Sequence, residues 1–211
     1  MYGKVTKSHD YAIIVGSGES LKNFDFSILD GLVTIAVNGA ISAFRPMYWF
    51  TLDPDDKNYK IMQNNIEGVG YFCAIPERYG AEKGRYYRQK MLPHVTYLRR
   101  IKGSGHLGQK PGMSKDPSSI NTGNSAYGAL NLALHMGAKR IAILGVDATS
   151  RYFYSDGTPG RLDHLPRLFS TAVPCLGLAR VVNGSPSSRV TCFEKMTPED
   201  AVRWAVGNDS D

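Results

Sequence analysis

Apolar runs of strand length recur along the chain, and polar or turn-forming residues follow most of them. Seven runs predict strands, at residues 11–15, 31–37, 47–52, 69–74, 95–98, 140–145 and 180–182. Several are continuously apolar rather than alternating, as expected of parallel strands that are buried on both faces. The pattern therefore predicts an open, mainly parallel, Rossmann-like α/β sheet flanked by helices.

Helical spacing is clearest just before the strand at 140–145. Small and apolar residues recur there at three- and four-residue intervals from Ala126 to Gly137, with Asn121 or Thr122 as the expected N-cap. Short helical or turn structure is expected at 21–29, a helix at 165–178 that Pro174 interrupts, and a terminal helix at 197–204.

The length and composition suit one α/β domain spanning residues 1–211. The chain has 42% hydrophobic residues, which is enough for a substantial core. No apolar run approaches the roughly 18–20 residues of a membrane span, and the N-terminus lacks the apolar region of a signal peptide. The three cysteines are too scattered for a disulfide framework or a zinc site. We expect a cytoplasmic protein without a membrane span.

Positive charge is concentrated in one segment. Residues 76–116 carry ten Lys or Arg against three acids, a net charge of +7, whereas the rest of the chain carries −1 of the total +6. We therefore expect a basic insertion at about 76–119 that contacts an anionic partner, although a solvated basic surface is the alternative. Glycines and prolines at 102–119 predict a mobile loop, and a polar, aromatic loop at about 149–164 is expected to act as a lid.

Polar or turn residues follow most of the predicted strands, and they predict one cleft. They are Gly16-Ser17-Gly18, Asn38, Asp53, Gly145-Val146-Asp147 and Asn183-Gly184-Ser185, while Asn121-Thr122-Gly123 opens the main helix. The carboxyl ends of parallel strands meet at one edge of a sheet, where α/β proteins bind phosphorylated ligands. The loop at 16–20 is expected to offer bare backbone N–H groups there. It matches neither the Rossmann fingerprint nor the Walker loop.

These motifs carry a resemblance to a known superfamily. The motifs are a Gly-x-Gly-x-Ser-Leu loop at 16–21, Asn-Thr-Gly at 121–123 and a helix–strand unit that ends in Gly145-Val-Asp147. They resemble motifs of the superfamily that joins two groups of proteins: the bacterial CMP-sialic-acid-dependent sialyltransferases and the 6-hydroxymethylpterin diphosphokinase-like domain. The similarity covers about 11–51 and 120–148, with a looser tail at 181–187. A phage-encoded member is one expectation, with nucleic acid as the acceptor, as in enzymes that decorate modified phage DNA.

The resemblance implies roles for individual residues. The nucleotide phosphates or ribose would lie against the loop residues Gly16, Ser17, Gly18 and Ser20. Asn38 and Asp53 would reach the nucleotide or the transferred group. The nucleoside pocket would be lined by Asn121, Thr122 and Gly123. Asp147 would form the floor of that pocket as a catalytic-site residue. Further nucleotide contacts are expected from Gly145, Asn183, Ser185 and the lid tyrosines Tyr152 and Tyr154.

The resemblance also implies that His164 is the general base. An imidazole titrates near pH 6.5 and can accept a proton from an acceptor hydroxyl at neutral pH. A capping or surface role beside Asp163 is the alternative.

These features predict an enzyme that transfers a sugar from a nucleotide-sugar to an acceptor hydroxyl. The acceptor would be an anionic glycan or a modified nucleic acid such as DNA. We expect no metal or other cofactor. One alternative is an ATP- and Mg²⁺-dependent diphosphokinase, in which Asp53, Asp55, Asp56 and Asp147 would supply oxygen ligands. The other is a non-catalytic nucleotide-binding module.

Overall fold

The computed structural model describes residues 2–76, 90–105, 108–149, 152–153 and 162–207. Within these residues, nine strands form one sheet in the order β6-β5-β4-β3-β2-β1-β7-β8-β9, and all neighbouring strands are parallel. The strands are β1 Tyr11–Val15, β2 Thr34–Val37, β3 Tyr48–Thr51, β4 Gly70–Ile75, β5 Val95–Ile101, β6 Ser119–Asn121, β7 Arg140–Leu144, β8 Arg180–Asn183 and β9 Glu194–Lys195. The predicted open α/β sheet is confirmed.

Four α-helices accompany the sheet in the described residues. They are α1 Asp56–Asn64, α2 Ser125–His135, α3 Leu165–Ser170 and α4 Pro198–Val206. Short 3-10 helices occupy Glu19–Leu21, Phe26–Leu29, Asn38–Ser42 and Val173–Cys175. None of the helices in the described part of the chain is long and apolar enough to cross a membrane.

The order of strands creates a switch point beside β1. The chain adds β2 to β6 one after another on one side of β1, and then returns through α2 to place β7 on the other side. The loops after β1 and β7 consequently diverge at the carboxyl edge. This is the position at which open α/β sheets form ligand-binding crevices.

The core lies on both faces of the sheet because successive strand residues point to opposite sides. Ile14 and Phe50 pack on the face that α2 covers, whereas Ile13 and Trp49 pack on the face that α4 covers. Gly128 of α2 approaches the sheet closely, since a Cβ there would lie 2.8 Å from a ring carbon of Phe50.

Several elements differ from the sequence prediction. Helix α2 begins at Ser125 with Asn124 as its cap, so the predicted caps Asn121 and Thr122 are wrong, and Asn121 instead ends the unpredicted strand β6. Strand β6 is only three residues long, and a run of that length gives little periodic signal. Helix α3 stops at Ser170, well before the predicted end.

Helix α1 and strand β9 were not predicted. Helix α1 begins at Asp56, and the Asp55 side chain caps it by accepting a hydrogen bond from the N–H of Asn58. Strand β9 has only two residues.

The loop before β6, predicted to be mobile, is hydrogen-bonded to α2 along part of its length. The Asn131 side chain accepts a bond from the Ser114 N–H and donates one to the Ser114 carbonyl. The Tyr127 hydroxyl donates to the carbonyl of Gly112. His135, in the last turn of α2, lies 2.9 Å through Nε2 from the carbonyl oxygen of Ser119.

We predict that His135 makes stability depend on pH. Burial lowers the pKa of His135 below the ordinary 6.5, more than the Ser119 carbonyl and Asp116 raise it. The unfolded chain therefore binds more protons than the folded protein as the pH falls through 6.5, and the free energy of unfolding decreases in that window. Urea unfolding at pH 7.5 and 5.5 measures this decrease, and the free energy of unfolding should fall less in His135→Gln than in the wild type.

Part of the dependence of the free energy of unfolding on pH should remain in His135→Gln. The pKa of His9 is also lowered, by burial and by Lys7, so His9→Gln is the matched comparison. An unchanged slope in His135→Gln would show that His135 is not the responsible group.

Candidate functional site

A cleft opens at the carboxyl edge of the sheet, at the switch point between β1 and β7. It is concave and partly open to solvent, as many small-molecule sites are. Its lining comes from the loops after β1, β2 and β7, from the N-terminus of α2 and from the segment before α3. The residues are Gly16, Ser17, Gly18, Val37, Asn38, Asn124, Ser125, Ala126, Gly145, Val146, Asp147, Ala148, Thr149, Tyr152, Leu162 and Leu165.

The two glycines after β1 allow two loops to pack in direct contact. A Cβ at Gly16 would lie 2.5 Å from the carbonyl oxygen of Gly145, and a Cβ at Gly18 would lie 2.5 Å from Oδ2 of Asp147. Any side chain at either position would displace the loop after β7. The need for glycine here comes from loop packing.

The backbone amides of this loop are mostly used inside the protein. The N–H of Gly16 donates to the Leu144 carbonyl, the N–H of Gly18 to the Gly145 carbonyl and the N–H of Ser20 to Asp147. The prediction that the loop offers bare N–H groups is therefore wrong at these three positions. Gly16, Ser17 and Gly18 still line the cleft, but Ser20 lies behind it against Asp147.

Asp147 joins three loops through one carboxylate. Its Oδ1 accepts bonds from the hydroxyls of Ser20, at 2.6 Å, and Ser185, at 2.5 Å, and its Oδ2 accepts the Ser20 N–H at 2.8 Å. Only 4% of Asp147 is exposed, while Ser185 is fully buried. A buried carboxylate with several charge-assisted donors is a strong tether, and this one connects the loops after β1, β7 and β8.

The backbone beside Asp147 is also unusual. Gly145 has φ 62°, and a Cβ there would lie 2.6 Å from a methyl carbon of Leu21. Ala148 has φ 56°, a conformation that is costly for a residue with a Cβ. Both line the cleft. The turn after β7 thus holds a strained conformation at the edge of the cleft, which is a recurrent feature of functional sites.

Asn38 lies in the opposite wall of the cleft. It follows β2 with φ 52°, and its carbonyl accepts a bond of 2.7 Å from the indole N–H of Trp49. The side-chain Oδ1 is buried and has no hydrogen-bond partner among the described residues. A buried amide oxygen without a partner is unfavourable, and a ligand that donates a hydrogen bond would satisfy it.

The N-terminus of α2 forms another part of the wall. Asn124 caps the helix by accepting bonds from the N–H groups of Ala126 and Tyr127, and the Ser125 hydroxyl contacts the backbone of Leu52 and Oδ2 of Asp53. The positive end of the helix dipole therefore lies at the cleft, where it favours an anionic group. Asp53 is exposed beside this helix end and does not line the cleft itself.

Asn124 and Ser125 were not among the residues predicted for the site. The sequence does indicate them, since Asn is a favoured N-cap residue and Ser125 is the first residue of the clearest helical pattern. Asn121 and Thr122, the caps expected from the sequence, lie three and two positions before the observed cap.

The predicted residues Asn121, Thr122 and Gly123 pack behind the cleft lining. Asn121 donates to the carbonyl of Gly112, the Thr122 hydroxyl accepts from Arg100 and a Cβ at Gly123 would collide with Leu168. Asn121 and Thr122 are buried. None of the three lines the cleft.

Asn183 and Ser185 also lie beneath the cleft rather than in it. Asn183 is 1% exposed and donates through its amide to the Val190 carbonyl. Ser185 is bonded to Asp147, as described above.

The segment after β7 crosses the glycine loop at Tyr152 and Phe153. Tyr152 forms an antiparallel bridge with Gly18 and lines the cleft, while the N–H of Phe153 donates to the Ser17 carbonyl. The Phe153 ring packs 5.3 Å from that of Phe26, measured between ring centroids. Tyr154 lies outside the described residues.

His164 lies at the rim of the cleft. It occupies the N-cap position of α3, makes no side-chain capping bond and is half-buried. Its neighbours Leu162 and Leu165 line the cleft, whereas His164 itself does not. The adjacent Asp163 pairs with Arg189 at 2.6 Å.

The acids considered as magnesium ligands do not form one group. Asp55 caps α1, Asp53 contacts Ser125 and Asp147 is bonded to two serines. The described residues contain no cluster of three or more His, Cys, Asp or Glu side chains placed to hold a metal ion.

The fold is similar to those of solved glycosyltransferases. The structure of the MAf glycosyltransferase from Magnetospirillum magneticum AMB-1 matches with a TM-score of 0.58 and 15% identity over 97% of this chain. This chain spans 38% of the length of that protein. The sialyltransferase CST-II, solved with a trisaccharide acceptor and CMP, matches with a TM-score of 0.51 and 15% identity over 89% of this chain and 86% of that one.

At 15% identity these likenesses establish a common fold. Neither a protein-family model nor a curated protein sequence matches the chain.

We predict that Asp147→Asn will destabilise the protein. The new amide group would face a hydroxyl or N–H donor in a buried position, so the free energy of unfolding should fall by about 2 kcal/mol. Urea unfolding measures this loss. Asp163→Asn, which removes an exposed ion pair, is the matched control and should cost less than about 1 kcal/mol. Equal losses in the two variants would contradict the proposed tether.

Proposed function

We propose that the chain is a nucleotide-sugar-dependent glycosyltransferase that moves a sugar from a CMP-linked donor to an acceptor hydroxyl. The observation that carries the proposal is the position of the cleft. It opens at the switch point of a fold shared over 89% of the chain with a sialyltransferase solved with CMP. The sequence motifs after β1 and β7, which resemble those of the sialyltransferases, meet at this cleft.

The chemistry of the cleft walls suits a nucleotide. The N-terminus of α2 favours the phosphate, because the positive end of the helix dipole attracts anions. The buried Oδ1 of Asn38 would accept a hydrogen bond from a ribose hydroxyl or a base amine. Tyr152, at the crossing segment, would donate to the phosphate. Asp147 would act as a positioning residue that fixes the walls, since its oxygens are engaged by Ser20 and Ser185.

In the proposed reaction His164 accepts the proton of the acceptor hydroxyl. The hydroxyl oxygen forms a bond to the anomeric carbon of the donor, and the bond between that carbon and the phosphate oxygen breaks. Its electron pair stays on the departing CMP. The α2 N-terminus and Tyr152 would stabilise the negative charge on the phosphate. Protein dipoles and hydroxyls are thus proposed to assist the leaving group, without a metal ion.

We expect His164→Ala to separate binding from turnover. CMP at about 100 times its dissociation constant should stabilise wild type and variant equally, by about 2.7 kcal/mol, with or without EDTA. Transfer from CMP-sialic acid to a hydroxyl acceptor should fall at least about 100-fold in the variant, because a general base contributes at least that factor. Thermal unfolding and product formation give the two readouts.

The control is His94→Ala. His94 precedes β5 at the opposite edge of the sheet and contacts the carbonyl of Met62. Stabilisation by ATP and Mg²⁺ alone would contradict the proposal and favour a diphosphokinase. Stabilisation by CMP without turnover of any nucleotide-sugar would leave a nucleotide-binding module.

A further inference from the structure

Three half-buried phenylalanines pack together beside the glycine loop. The Phe153 ring lies 5.3 Å from that of Phe26, and the Phe26 ring is stacked on that of Phe44 at 5.7 Å, both distances being measured between ring centroids. These separations lie in the range of favourable aromatic pairs. We call Phe26, Phe44 and Phe153 the aromatic clamp. The clamp residues themselves do not line the cleft.

The clamp joins three segments that reach the cleft. Phe26 begins the second 3-10 helix after β1. Phe44 follows the 3-10 helix that begins at Asn38, after β2, and Phe153 belongs to the segment after β7. Asn38 and Tyr152, which lie in the last two of these segments, both line the cleft. The clamp therefore connects the loops after β1 and β2 with the segment that carries Tyr152.

Local contacts hold Phe26 in place. The buried Phe24 ring packs edge-on against that of Phe26, with ring centroids 5.2 Å apart. Asp25, between them, caps the 3-10 helix by accepting a hydrogen bond of 2.9 Å from the Ser27 N–H. Because both contacts come from the segment after β1 itself, Phe26 offers Phe153 a support that does not depend on the segment after β7.

Tyr152 and Phe153 serve different surfaces although they are neighbours in sequence. Tyr152 pairs with Gly18 in an antiparallel bridge, and the N–H of Phe153 donates to the Ser17 carbonyl at 3.0 Å. Successive side chains of bridged, extended backbone point to opposite sides. Accordingly Tyr152 lines the cleft, whereas the Phe153 ring packs on Phe26. The ring thus adds an apolar contact on the side of the segment away from Tyr152.

We propose that Phe153 is a positioning residue that holds Tyr152 at the cleft through its contact with Phe26. Separation of the segment from the glycine loop would expose the Phe153 ring to water, which is unfavourable, so the aromatic contact favours the docked segment. The contact of the Tyr152 hydroxyl with a ligand phosphate rests on the proposed function. The docking of the segment does not, and it can be measured without a ligand.

The test is calorimetric titration of the full chain with CMP and with cytidine, which lacks the phosphate. Phe153→Ala should weaken CMP binding about tenfold, because Tyr152 no longer donates to the phosphate from a fixed position, and should leave cytidine binding unchanged. Tyr152→Phe should show the same loss, and combining the two changes should weaken CMP binding by less than about twofold more. Phe153→Tyr, which keeps the ring, should bind CMP like the wild type.

Tyr59→Ala is the matched control. Tyr59 is a half-buried aromatic residue of α1 that packs on the same hydrophobic cluster as Phe26 and Phe153, and its hydroxyl donates to the Lys90 carbonyl. It does not line the cleft, so this variant should bind both ligands like the wild type. Unchanged CMP binding in Phe153→Ala, or equal weakening of CMP and cytidine, would overturn the positioning role.

Hydrogen exchange of the Phe153 amide distinguishes failure of this inference from failure of the proposed function. This N–H donates to the Ser17 carbonyl, so without ligand it should exchange at least about tenfold faster in Phe26→Ala, which removes the support and leaves residue 153 intact, than in the wild type or Tyr59→Ala. If the wild type bound neither CMP nor cytidine, the proposed function would fail while faster exchange still supported the clamp. Equal exchange in Phe26→Ala and the wild type would refute the clamp whatever the ligands do.

Discussion

The buried carboxylate of Asp147 is the contact on which the geometry of the cleft depends. Taking a carboxylate out of water is costly, and three hydrogen bonds from Ser20 and Ser185 offset that cost. Because the donors come from the loops after β1 and β8, their positions are fixed relative to the loop after β7. Gly18 is required by the same contact, since a Cβ there would meet the carboxylate.

This tether changes the interpretation of the glycine loop. A Gly-x-Gly turn after the first strand suggests a phosphate cradle, yet the N–H groups of Gly16, Gly18 and Ser20 are bonded within the protein. In the proposed function, contacts to a ligand would fall to side chains such as Asn38 and to the N-terminus of α2. The glycine loop, which is the strongest sequence motif, thus forms part of the cleft wall. A buried side-chain oxygen without a hydrogen-bond partner among the described residues belongs instead to Asn38.

Much of the fold could be predicted because parallel strands are read directly from continuous apolar runs. The predicted strands at β1, β3 and β7 are present, and Thr197 caps α4 as its sequence indicates. The short strand β6 could not be predicted, since Ser119–Asn121 is stabilised by pairing with β5 rather than by its own pattern. Its omission displaced the predicted cap of α2 from Asn124 to Asn121 or Thr122.

The polar residues that follow the predicted strands indicated the position of the cleft, but they did not indicate the orientation of each side chain. Residues Gly16, Asn38, Gly145 and Tyr152 line the cleft, whereas Asn183 turns into the protein to bond the Val190 carbonyl. Both kinds of residue follow a strand at the same edge. What separates them is the local loop path, which depends on contacts between segments distant in sequence.

The measurement that tests the account most directly is a crystal structure of the protein soaked with CMP. The account predicts the phosphate at the N-terminus of α2, the nucleoside within hydrogen-bond distance of Asn38 Oδ1, and an unchanged Asp147–Ser20 contact. Density for CMP outside the cleft, or CMP bound in the cleft directly to Asp147 after displacement of Ser20, would contradict it.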